Sequence, residues 1–69
     1  MLYPALPPRL AAVMIWLDTG NPVATVARLR NCATPSRATR RVLAAWASGN
    51  GDAFARAMDA LEHEIAMEN

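Results

Sequence analysis

Residues 19–52 read TGNPVATVARLRNCATPSRATRRVLAAWASGNGD, and the punctuation of this stretch decides the fold. Gly20 suits the left-handed position that closes a helix. Asn21 is a good N-cap, and Pro22 follows at the position where a missing N–H costs nothing. Thr34-Pro35 repeats the cap-then-proline signal. Gly49-Asn50-Gly51 is a second stop, after which Asp52 caps a last segment. Working outward, Pro8 opens a segment that Thr19-Gly20 closes. The spacing therefore predicts four helices, over about 8–19, 22–32, 35–48 and 52–67. Valines are too scattered for the alternation of a strand. The expectation is one all-α domain over 1–69, a bundle of four short helices. Residues 1–7 are expected to form an extended arm, with Leu2, Tyr3 and Leu6 available to pack.

The predicted helices differ in their faces. Over 35–48, Ala38, Val42, Ala45 and Trp46 recur at helical spacing as an apolar stripe with Leu43 beside it. Arg37 and Arg41 lie opposite with Ala44 and Ser48, and Arg40 flanks them. Over 52–67, Phe54, Ala57, Met58, Leu61 and Ile65 form one apolar stripe, and charged residues cover the rest. Asp52–Arg56 and Asp59–His63 are i, i+4 pairs. The first helix is different, because Leu10, Val13, Met14, Ile15, Trp16 and Leu17 leave almost no polar face. Such a helix is either buried all round or shared with another chain. Sixty-nine residues are few for surrounding it. A homodimer is expected, with Leu10, Val13, Met14, Trp16, Leu17 and Tyr3 at the interface. The alternative is a monomer whose arm covers the exposed side.

Charge is segregated along the chain. The net charge is only +1. Yet Thr19–Gly51 holds Arg28, Arg30, Arg37, Arg40 and Arg41 without one acid, whereas Asp52, Asp59, Glu62, Glu64 and Glu68 follow against Arg56. A basic middle and an acidic tail make a directional surface, unless the acidic helix folds back on the basic segment. No lysine is present. GC-rich coding and selection for bidentate contacts to phosphate or carboxylate both produce that bias.

Other classes of function find little support. One His, one Cys and no Lys leave no constellation for catalysis, and no enzyme, cofactor or small-molecule substrate is expected. His63 sits between Glu62 and Glu64, but adjacent residues on a helix diverge by about 100° and cannot converge on one ion. Glu64 and Glu68, one turn apart, form a solvated acidic face or a weak site for a hard cation. A Cys32–His63 nucleophile pair needs tertiary packing to join them, and a lone Cys is usually a small buried thiol. The three glycines form no phosphate-cradling loop. Trp16 and Trp46 sit on apolar faces and read as core anchors. Cys32 has no internal disulfide partner, which favours a reducing compartment, so a cytoplasmic protein is expected. Neither a signal peptide nor a membrane span is expected. The run Leu10–Leu17 is far shorter than the ~20 residues a spanning helix needs.

Within Gly20–Trp46, Gly20 stands as an entry turn, Val26-Ala27 as an apolar–Ala pair, Ser36-Arg37-Ala38-Thr39 as the opening of a basic helix and Val42-Leu43 as its packing residues. This stretch resembles the helix-turn-helix DNA-binding modules of the trihelical, homeodomain-like kind. It departs from them at Asn31–Pro35, which is longer than their tight turn, and at Arg40, where they place an apolar residue. The resemblance implies that the helix over 35–48 reads a major groove. Physical chemistry supports the same expectation without the family. Arg37, Arg40 and Arg41 crowd the first two turns of that helix, where Ser36 and the helix N-terminus also favour phosphate. Arg28 and Arg30 are placed for backbone contacts. The sequence thus predicts a small regulator that binds DNA. The alternative is an adaptor or inhibitor of the kind phages use against host factors, docking on an acidic protein surface through its Arg face or through its apolar first helix.

Overall fold

The computed structural model describes residues 6–68. Four helices follow one another: α1 (Pro8–Thr19), α2 (Pro22–Leu29), α3 (Arg37–Ser48) and α4 (Gly51–Met67). The described residues contain no strand. Leu2 and Tyr3, expected to pack from the arm, lie outside the described residues.

The chain is built as two helical hairpins, and each bend is a Gly-Asn pair. Gly20 adopts φ 66° and returns its N–H to the Trp16 carbonyl at 2.9 Å. Asn21 then caps α2, its Oδ1 accepting from the N–H groups of Val23 and Ala24. Gly49 adopts φ 73°, with its N–H on the Trp46 carbonyl and the Asn50 N–H on the Ala45 carbonyl. These two crossed bonds make a Schellman ending. Asn50 caps α4 by accepting from the Ala53 N–H at 3.0 Å.

Three boundaries depart from the sequence reading, each for a local reason. The second helix ends at Leu29, not Cys32, because the N–H groups of Asn31 and Cys32 turn back three residues instead of four. The third begins at Arg37, not Pro35. Ser36 is the N-cap, its Oγ accepting from the Thr39 N–H at 3.2 Å, and Thr34-Pro35 belongs to the preceding link. The fourth begins at Gly51 with Asn50 as its cap, and Asp52 sits inside the first turn, where its charge still suits the helix dipole.

The core lies where the hairpins meet. Val26 and Leu29 of α2, Val42 of α3, and Phe54, Met58 and Leu61 of α4 pack with Ala12 and Val13 of α1. Burying each large side chain contributes about 1.5–3 kcal/mol. Among the described residues, Thr25 and Thr39 are polar and fully buried, and both are satisfied. The Thr25 hydroxyl donates to the Asn21 carbonyl at 2.8 Å, and the Thr39 hydroxyl lies 3.1 Å from that of Ser36. The radius of gyration, 10.9 Å, matches the ~11 Å of a compact chain this long.

The apolar first helix is not enclosed. Ala11, Ala12, Val13 and Ile15 are buried, whereas Met14 is 41% and Leu17 63% exposed. Val13, expected at a dimer interface, is instead part of the chain's own core. Leu10 and Trp16 are half-buried. No described helix is long and apolar enough to cross a membrane.

Candidate functional site

The acidic tail has a basic partner that the sequence reading did not pick out. Arg9, in the first turn of α1, donates from Nη1 to Glu64 Oε2 at 2.7 Å and from Nη2 to Glu68. Glu64 and Glu68 are one turn apart on α4, so a single guanidinium fork reaches both. These contacts raise the Arg9 pKa above its ordinary value, with the Glu68 hydrogen bond the largest cause. Glu64 also accepts the Ser36 hydroxyl at 2.8 Å. The start of α1, the cap of α3 and the end of α4 are thereby tied into one polar knot. The Glu64–Glu68 pair considered as a cation site is occupied by this guanidinium. The one clue in the sequence was that Arg9 is the only basic residue before the basic middle.

The basic middle is left open by this arrangement. Arg28, Arg30, Arg37, Arg40 and Arg41 are all exposed. Among the described residues, none of the five forms an ion pair with a carboxylate. The Arg40 guanidinium donates to the Pro35 carbonyl at 3.3 Å. Arg28 lies in the last turn of α2 and Arg30 is its C-cap, so both stand at the end of a helix where cations are favoured. Arg37 and Arg41 share a face of α3, and Arg40 lies beside them. Ser36 differs from the others. It is half-buried, and its hydroxyl is already engaged with Glu64 and Thr39.

The residues that carry the helix-turn-helix resemblance occupy mixed environments. Val26, Thr39 and Val42 are buried, Ala38 and Leu43 half-buried, and Ala27 exposed. Seven residues, Arg30–Ser36, join α2 to α3. A helix-turn-helix uses three or four.

Both tryptophans gather around Phe54. Trp16 meets it edge-on with ring centroids 5.3 Å apart, and Trp46 is tilted against it at 5.8 Å. Together with Gly20, Pro22 and Gly49 they line a groove of about 570 Å³ beside the two Gly-Asn bends. Each Trp stands in the last turn before its glycine. That repeated placement was the available signal for their meeting.

Cys32 and His63 are the two remaining groups with shifted titration. Cys32 borders a second groove with Arg9 and Pro35. Burial pushes its thiol up from the ordinary value, and the Arg9 charge offsets part of that. A raised pKa makes a poor nucleophile at neutral pH. His63 is turned to solvent on α4, where its Nδ1 hydrogen-bonds the Asp59 carbonyl at 2.9 Å. Among the described residues, no group of three His, Cys, Asp or Glu side chains is placed to hold a metal ion. Comparison of the chain with protein-family models, with curated proteins and with solved structures finds no match.

Proposed function

We propose that this protein is a small, non-enzymatic regulator that binds duplex DNA through the arginine face of α3. One observation carries the reading. Arg37, Arg40 and Arg41 are exposed and unpaired with any described carboxylate, while Glu64 and Glu68 are turned to Arg9. A chain with six acids thus keeps its basic face unneutralised. Guanidiniums in the first two turns of an exposed helix suit guanine edges or phosphates. Arg28 and Arg30 extend the surface with backbone contacts. Ser36, whose hydroxyl is engaged by Glu64 and Thr39, contributes by capping α3.

The test is a titration of labelled duplex at two salt concentrations. Affinity falls steeply as salt rises, and the double variant Arg37→Ala/Arg41→Ala loses binding while keeping its helicity. Tight binding indifferent to moderate salt removes the proposal.

A second reading rests on a different surface. Met14 and Leu17 project from α1 with Leu10 on the same face, and Val23 is 63% exposed on α2. This suits an adaptor or inhibitor that docks on another protein, or a second copy of the chain. Recovery of one stoichiometric protein partner without nucleic acid favours it over DNA binding.

A further inference from the structure

By spacing alone, Arg56 is the i, i+4 companion of Asp52 on the acidic helix. Its surroundings are different. A groove of about 470 Å³ runs between α3 and α4, lined by Arg41, Ala44 and Ser48 from α3 and by Ala53, Arg56 and Ala60 from α4. The two helices are antiparallel, since Ser36 meets Glu64 at one end and the Gly49-Asn50 bend joins them at the other. On each helix the lining residues recur at three- and four-residue spacing, so they form one continuous face. The alanines carry nothing beyond a methyl group and leave the floor low. One guanidinium therefore rises from each wall. No carboxylate lines the groove. Among the described residues, neither Arg41 nor Arg56 has an acidic partner.

We infer that Arg41 and Arg56 form a two-walled phosphate clamp, seating one strand of a duplex backbone in the α3–α4 groove. The inference rests on the DNA-binding reading above and extends it to a residue of α4. The chemistry favours a linear polyanion over a docked protein helix. A protein helix in a groove is held by apolar anchors filling apolar pockets, and this floor offers methyl groups only. A phosphodiester backbone needs positive charge on its flanks and room for its sugars. The low floor and opposed guanidiniums supply both. Arg37 stands one turn before Arg41 on the same face of α3, so the line of charge continues beyond the groove.

The test uses fluorescence anisotropy with a labelled random-sequence 20-base-pair duplex, read across 50–200 mM salt, for the full chain and for Arg56→Ala, Arg56→Lys and Arg41→Ala. Arg56 is exposed and Ala is the best helix former, so circular dichroism of Arg56→Ala stays that of the parent. The clamp predicts a salt slope shallower by about 0.9 in both alanine variants, which reduces the change in affinity over that salt range about threefold. Arg56→Lys keeps the slope. If the parent binds and Arg56→Ala binds with an unchanged slope, the clamp is overturned and the α3 reading stands. If the parent binds no duplex at any salt, the α3 reading itself fails and the clamp goes with it. Capture of a labelled polyglutamate peptide that depends on Arg56, without duplex binding, assigns the groove to a protein partner instead.

Discussion

Arg9 and Glu64 lie 55 positions apart in the chain and 2.7 Å apart in space. That contact decides the electrostatics of the molecule. The carboxylates of an acidic C-terminal helix had two places to go: onto the arginines of α3, against which α4 packs, or elsewhere. Two of them, Glu64 and Glu68, go to the first turn of α1, and Asp59 faces His63 on its own helix. Glu64 also holds the hydroxyl that caps α3, so the residue that anchors the polar knot fixes the start of the arginine-bearing helix as well.

Arg9→Ala removes both charged contacts and leaves Glu64 with Ser36. The Arg9 and Glu64 side chains are 29% and 27% exposed, so solvent screens part of the interaction. The expected cost is about 1 kcal/mol. For a domain of this size that is a fall in Tm of roughly 4–8 °C. Thermal melting followed by circular dichroism measures it. An unchanged Tm would show that apolar packing alone holds α1 against α4.

Gly49→Ala separates backbone strain from packing. A Cβ at Gly49 meets nothing within 4 Å, yet φ is 73°. Steric crowding is absent, so the whole effect is the left-handed conformation, about 1–2 kcal/mol. Gly49→Asn recovers part of it, because Asn tolerates that region better. Urea midpoints of the two variants give the comparison. Equal stability of Gly49→Ala and the parent would mean that the bend adopts another conformation.

The same bends show how far the sequence was legible. Gly20-Asn21-Pro22 left one physical option, and the structure takes it. The Ser36 and Asn50 caps were less legible because each competes with a second capping residue two positions away. Thr34 stands before one and Asp52 after the other, and only the path of the chain chooses between them. The end of α2 at Leu29 is not legible because Arg30, Asn31 and Cys32 contain no breaker. The apolar stripes of α3 and α4 were legible from period alone, as was the exposed position of Arg37 and Arg41. What period could not supply was which faces meet. Trp16 and Trp46 converge on Phe54, and Arg56 comes to share a groove with Arg41, through contacts between helices that local spacing does not encode.

Phe54→Ala tests that aromatic junction. Phe54 is 4% exposed and touches both Trp rings. Truncation of a buried Phe costs about 3–5 kcal/mol. A domain of this length has roughly 3–10 kcal/mol in total. The variant is therefore expected to be largely unfolded at 37 °C, with its Trp emission shifted red, while Phe54→Leu remains folded with a lower urea midpoint. A fully folded Phe54→Ala would place the stability of the bundle elsewhere.

His63 gives a pH dependence whose sign is fixed by its partner. The hydrogen bond to the Asp59 carbonyl is the first cause of its raised pKa, and the Asp59 charge is the second. The folded state therefore holds the proton more tightly than the unfolded chain. The resulting stabilisation is complete below about pH 6.5, the ordinary histidine value. It is lost as pH rises through the folded value. The group is fully exposed, so the contribution to stability is small. An NMR titration of the ring reads the shift directly, and Asp59→Asn moves it back toward the ordinary value. A midpoint at or below the ordinary value in the parent would contradict the contact.

The exposed stripe on α1 yields the last expectation. Leu10, Met14 and Leu17 recur at i, i+4, i+7, and their apolar surface is incompletely covered by the described chain. Burying that stripe against a second copy would remove apolar surface from water twice over, since a two-fold interface uses the same patch on both subunits. Light scattering at micromolar concentration is expected to report a dimer for the parent and a monomer for Leu17→Lys. Lysine is chosen because Leu17 lies in the last turn of α1, where a cation suits the helix dipole and the monomer fold is spared. Helicity is thus the control, and it stays unchanged. A parent that is monomeric at every concentration tested removes the dimer and leaves this face to a different protein.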